Sequence, residues 1–295
     1  MDRSDAGFAT AGLAHRSTTK PYPLWLWPTL LSLDATAVAI TWLLLFARSF
    51  RVPLGGAPIA ALGLWVWLLY AGDRILDGLR EPSPAVETRR HRFYRMNRRP
   101  ALIVAGIVAA TALVISLVWL DAATRRAGFE LALLVAGYFA VTHLAFPANR
   151  AFWPKELFVA VLFAAGVCLP VWSELGADRT RLIGPLLMLT AVFWINALGI
   201  DCWENAPDRA ARRQIESRTS RALAVRLGPA AMGLAIFSAI LGFDSSAAPI
   251  YLSIAISALL LMILELNSSR LITPILRVTA DTALLTPLLF LLRHF

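Results

Sequence analysis

The sequence predicts an all-α fold, a polytopic membrane helical bundle of about nine transmembrane helices. Three observations predict it. Of the 295 residues, 58% are hydrophobic, and the mean hydropathy is +0.64, whereas soluble domains are nearer half apolar. The excess falls in blocks of roughly 17–25 residues, the length a helix needs to cross a bilayer core. Within lipid the backbone must satisfy its own hydrogen bonds, so such blocks are helices. Finally, the basic residues gather in short segments between the blocks, and alternate segments carry most of them.

Residues 1–22 are polar and lack the apolar run of a signal peptide, so they are expected to form a disordered tail. Residues 23–295 are expected to form a single transmembrane domain, because no segment is long enough to serve as an interdomain linker. The first expected span runs from Leu24 to Phe46, opens on Trp25 and Trp27 as interfacial aromatics, and carries Asp34. The second runs from Leu54 to Gly72, the third from Ala101 to Leu120 and the fourth from Phe129 to Phe146. The fifth covers Leu157 to Trp172, and the sixth covers Leu182 to Trp203. The seventh is Ala222 to Phe243, the eighth Ala248 to Leu266 and the ninth Leu271 to Leu292.

Charge orients these spans. With the N-terminus cytoplasmic, the tail and the segments after spans two, four, six and eight hold 18 Lys or Arg, against 7 on the other side. That bias is the positive-inside signal. Short loops and the lack of a targeting segment suit the inner membrane of a bacterial cell. The net charge of +9 would suggest nucleic acid in a soluble protein. Here the arginines serve topology and anionic headgroups, and no basic–aromatic module is present, so nucleic acid is not an expected partner. Cys168 and Cys202 are too few for a disulfide framework or a zinc site. His91 and His143 stand alone and suit loop or buried roles better than metal ligation.

Two acidic clusters fall on the face with more Lys and Arg. The segment after span two begins DRILDG, placing Asp73 and Asp77 four residues apart on one helix face, ahead of seven arginines. The segment after span six reads IDCWENAPD, with Asp201, Glu204 and Asp208 spaced at three and seven residues. Mg²⁺ takes oxygen ligands, keeps several waters and uses one or two carboxylates together with substrate phosphates. Two such sets at one end of a helical bundle therefore suit a diphosphate bridged by metal. The competing reading is that these acids pair with neighbouring arginines and cap helices at the interface. Asp34 and Asp281, inside apolar spans, and Glu265 are expected to pair with an arginine such as Arg277 or to line a cavity.

On these residues the chain resembles the UbiA superfamily of membrane-embedded prenyltransferases. The family's first motif is similar to N-D-x-x-D-x-x-x-D, whose last two aspartates match Asp73 and Asp77; its leading pair falls on Leu69 and Tyr70. Asp201 and Asp208 have the spacing of the second motif. LWPTL at the start of span one and NRAFWPKELFVAVLFAAGVCLP around span five also resemble the family. The resemblance implies helices around a central cavity, with Mg²⁺ held by Asp73, Asp77, Asp201 and Asp208. Glu204 is a further metal-ligand candidate. Arg80, Arg150 and Lys155 are candidates to contact the diphosphate. The implied reaction moves an isoprenyl group from a polyprenyl diphosphate to a lipid-soluble acceptor, aromatic acceptors included. The alternative, favoured by Leu69 and Tyr70, is a non-catalytic member of the same fold that acts as a transporter or lipid-binding protein.

Overall fold

The computed structural model describes residues 23–77, 93, 96–141, 154–205, 212, 213, 215 and 217–292. Every regular element among them is helical. A short turn at Leu24–Leu26 leads into α1 (Trp27–Leu30) and then α2 (Leu33–Ser49). There follow α3 (Gly56–Asp77), α4 (Arg98–Val118), α5 (Ala122–Ala140), α6 (Lys155–Glu174) and α7 (Thr180–Asn205). The chain continues through α8 (Arg218–Ala224), α9 (Leu227–Gly242), α10 (Ala248–Leu266), α11 (Thr273–Ala283) and α12 (Pro287–Leu291). The expected tail lies outside the described residues.

Six of these segments are long and apolar enough to cross a membrane, and two bent pairs bring the number to as many as eight. The molecule is thus a helical membrane bundle. Two spans that read as continuous in the sequence are broken. Leu24–Leu30 and Leu33–Ser49 meet at 73°, and Arg218–Ala224 and Leu227–Gly242 meet at 82°. Ser32 makes the first bend by taking a left-handed φ of 60°. The expected fourth span corresponds to α5, whose described residues include Arg125, Arg126 and Glu130 and do not meet the same criterion. Its first turn is fixed by Asp121, whose carboxylate accepts from the Thr124 amide at 2.9 Å.

The core forms where α2, α6, α7 and α10 pack against one another. Trp42, Phe46, Leu189 and Ile254 are fully enclosed there, and Trp42 also donates from Nε1 to the Leu284 carbonyl at 2.8 Å. Aromatic rings continue this core edge to face, from Trp42 to Phe193 at 6.1 Å, on to Phe163 at 4.9 Å, and to Tyr70 at 6.0 Å. α4 packs mainly on α3 and leaves Ile103, Ile107, Leu117 and Val118 exposed. In water such a surface would be an aggregation hazard; against lipid tails it is the expected outer face.

Candidate functional site

Asp73 lies on the last turns of α3, where it is exposed. Asp77 closes α3, and its side chain lies outside the described residues, as do Arg80, Arg150 and Asp208. Asp201 and Glu204 occupy the last turns of α7. Lys155 is the first residue of α6, following Pro154, which cannot extend the helix backwards. Its Nζ lies 3.9 Å from Asp201 Oδ1 and 3.7 Å from Glu156 Oε1. Tyr138 of α5 lies in the field of both Asp73 and Glu156. Lys155 and Glu156 thus stand beside Asp201 at the end of α7. Arg74, next to Asp73, bonds the start of the first span, and Arg277 of α11 bonds Glu204.

The acids at this end have different partners. Glu204 accepts from Arg277 Nη1 at 2.9 Å. Asp201 Oδ1 accepts from Asn205 at 3.0 Å, and its contact with Lys155 is long and largely solvated. Glu156 is buried and accepts from Ser220 Oγ at 2.7 Å, which ties α6 to the short helix α8. Glu265 forms a bidentate pair with Arg212 and also accepts from Trp203 Nε1 at 2.8 Å. Glu265 thus pairs with an arginine, as expected, and that arginine is Arg212. Arg74 is buried and donates to the Thr29 carbonyl at 2.7 Å and to Ser32 Oγ at 2.6 Å. It therefore pins the broken first span to α3.

Among the described residues, no group of three or more His, Cys, Asp or Glu is placed to hold a metal ion. The donor chemistry of Asp73 and Asp201 nonetheless fits Mg²⁺, which needs only one or two carboxylates when phosphates supply the rest. Asp73 is exposed, and the solvated Lys155–Asp201 contact is weak enough to yield to a divalent ion. Glu204 fits less well, because its charge is already matched by Arg277.

Sequence reasoning passed over Glu156, Ser220 and Asn196. A lone Asn inside the apolar run of span six was a usable signal, because an unpaired amide in lipid is costly. Ser220 gave none, since its role depends on the bend that brings α8 to α6. At the opposite end of the bundle is a cavity of about 410 Å³ lined by Leu45, Arg48, Ser246 and Phe290, among others. Among the described residues, its lining includes neither Asp73 nor Asp201 nor Glu204. Comparison with protein-family models, characterised proteins and solved structures finds no match to this chain. The likeness to membrane prenyltransferases therefore rests on the motif residues themselves.

Proposed function

We propose that the chain is a membrane-embedded prenyltransferase of the UbiA type, with nine spans around a central cavity and its N-terminus on the cytoplasmic face of a bacterial inner membrane. The observation that carries this reading is the exposed Lys155 beside Asp201 at the end of α7, with an exposed Asp73 on the last turns of α3. Carboxylates from two helices beside an exposed lysine suit a diphosphate and its counter-ion, for they offer metal ligands and an anion contact together. Asp73, Asp77, Asp201 and Asp208 would hold Mg²⁺, with Glu204 kept by Arg277 as a strut. The metal, when bound, supplies neutralisation of charge on the departing diphosphate. Lys155, with Arg80 and Arg150, holds the phosphates. Tyr70 and Phe163, the half-buried end of the aromatic run, offer an apolar wall for an isoprenyl tail. A lipid-soluble acceptor then takes the prenyl group at the carbon that the diphosphate leaves.

The test uses purified protein in detergent with Mg²⁺ and labelled prenyl diphosphates of several lengths. Diphosphate release is expected, and Asp73→Ala and Asp201→Ala each lower it by about 100-fold or more. Absence of any Mg²⁺-dependent binding of prenyl diphosphate overturns the proposal. That result would favour the second reading, a non-catalytic transporter or lipid-binding protein, which draws its support from Asp34 and Asp281 within the bundle.

A further inference from the structure

The cavity away from the acidic clusters is built where helix ends meet. Leu45, Arg48 and Ser49 come from the last turns of α2, Ser246 and Leu252 from the start of α10 and the turn before it, and Phe290 from α12. Its depth in the membrane follows from α7. Arg181, in the first turn of that helix, donates from Nη2 to Ser246 Oγ at 3.3 Å. Asp201 stands in the last turns of the same helix. At 1.5 Å per residue the helix between them is about 30 Å long, the thickness of a bilayer's hydrocarbon core. The cavity therefore lies at the membrane surface remote from Asp201.

Guanidinium groups stand at this cavity without counter-charge. Arg48 lines it and donates from Nη1 to the Leu291 carbonyl at 3.2 Å, and Arg181 reaches its rim through Ser246. Among the described residues neither arginine has a carboxylate within 4.0 Å, and Asp178 and Asp244, the acids nearest to Arg181 and Ser246 in sequence, form no ion pair with them. No acidic side chain is among the described lining residues. Ala248 and Pro249, which also line the cavity, open the 19-residue α10, and the positive end of that helix dipole adds to the same potential. Ser49 adds an independent sign: its Oγ is buried without a hydrogen-bond partner.

The rest of the lining is apolar, with Leu45 buried, Phe290 half-buried and Leu252 exposed. A cavity that is both basic and apolar, at the level of the headgroups, fits a lipid whose head is an anion. A free anion would leave the apolar wall unused, and a zwitterionic head would bring an ammonium that no lining carboxylate receives. The volume of about 410 Å³ takes a headgroup and the first carbons of its chains, and the rest of the lipid stays in the bilayer. We propose that the cavity between α2, α10 and α12 binds the head of an anionic phospholipid. Arg48 and, at the rim, Arg181 meet the phosphate through charge-assisted hydrogen bonds, while Leu252 and Phe290 meet the chains. The site needs neither Mg²⁺ nor a prenyl diphosphate. Occupied, it ties the ends of α2 and α12 to the starts of α7 and α10.

The experiment uses the full chain in a neutral detergent at physiological ionic strength, free of Mg²⁺ and prenyl diphosphate. The apparent Tm is followed as dioctanoyl phosphatidylglycerol, dioctanoyl phosphatidylcholine or inorganic phosphate is added. The anionic lipid is expected to raise Tm saturably, at concentrations about tenfold or more below those at which the other two act. Arg48 and Arg181 are exposed, so Arg48→Gln and Arg181→Gln are expected to fold and each to weaken the apparent affinity about tenfold. Arg126→Gln removes an exposed arginine outside the cavity lining and is expected to change nothing. Ser246→Asp sets a carboxylate beside Arg181 and is expected to abolish the response, which keeps the test decisive if an arginine variant does not fold. The proposal is overturned if the anionic lipid gives no saturable response, if phosphatidylcholine protects equally, or if inorganic phosphate accounts for the whole effect. It is also overturned if Arg126→Gln weakens the response as much as Arg48→Gln does. Asp201→Ala leaves the response intact, so this site and the transferase reading fail separately.

Discussion

Lys155 is the residue whose removal tests the phosphate contact most directly. It is exposed, so Lys155→Gln is expected to leave the fold intact. A charged hydrogen bond is worth roughly 1.5–3 kcal/mol, so the variant should bind prenyl diphosphate at least tenfold more weakly. Equilibrium binding in the presence of Mg²⁺ checks this, and unchanged affinity removes Lys155 from the site. Arg212 makes the opposite kind of prediction. Its guanidinium is almost fully enclosed and answers a Glu265 carboxylate with little exposure. Arg212→Ala strands that carboxylate, which costs about 3 kcal/mol and lowers Tm. At the α5 N-cap, the Thr124 hydroxyl and amide hold the Asp121 carboxyl below its ordinary pKa. A depressed folded-state pKa stabilises above the unfolded value and is lost as pH falls through the folded value. Asp121→Ala is therefore expected to cost about 1 kcal/mol at neutral pH. The difference from wild type should vanish on acidification to below the depressed value, as denaturant titrations at several pH values would reveal.

At the scale of elements, the apolar blocks were legible because lipid leaves a chain only one way to satisfy its backbone. The breaks in the first and seventh spans were not. Nothing in the run from Leu24 to Phe46 marks Ser32 as left-handed, and the bend is held from a distance by Arg74, on a helix 42 residues further on. Half of the candidate site was legible for the same kind of reason. Asp73 and Asp201 can be found by spacing, since helical periodicity is local. Glu156 with Ser220, and Arg277 with Glu204, are joined by tertiary packing that no local pattern encodes. The close pairing of α9 with α10 is likewise tertiary and gives its own prediction. A methyl group added at Gly242 would stand 3.2 Å from Tyr251 Cβ, a backbone-anchored atom that cannot swing aside. Gly242→Ala is expected to destabilise by about 1–3 kcal/mol through overpacking. A detergent-resistance or thermal melt checks it, and a variant as stable as wild type would show that the two helices have room to part.

For the whole molecule, the number of crossings turns on α5. Its Arg125, Arg126 and Glu130 lie within three turns of its start, and the Arg126 Nε–Glu130 Oε1 pair is exposed at 3.1 Å. Two arginines near one end of a span can extend their heads into the interface while the apolar remainder, Leu131 to Ala140, enters the membrane. Counted as a span, α5 joins the six straight and two bent candidates and makes nine. An odd number puts the two ends of the chain on opposite faces; six or eight would put them on the same face. If the charge bias of 18 against 7 orients the chain as the positive-inside rule expects, the N-terminal end lies in the cytoplasm. A reporter that is active only outside the cytoplasm is therefore expected to work when fused after Phe295, and one that is active only inside is expected to work ahead of Met1. If both ends report from the same side, α5 does not cross. The segments that carry the two acidic clusters would then lie on opposite faces, and a single diphosphate site could not include both.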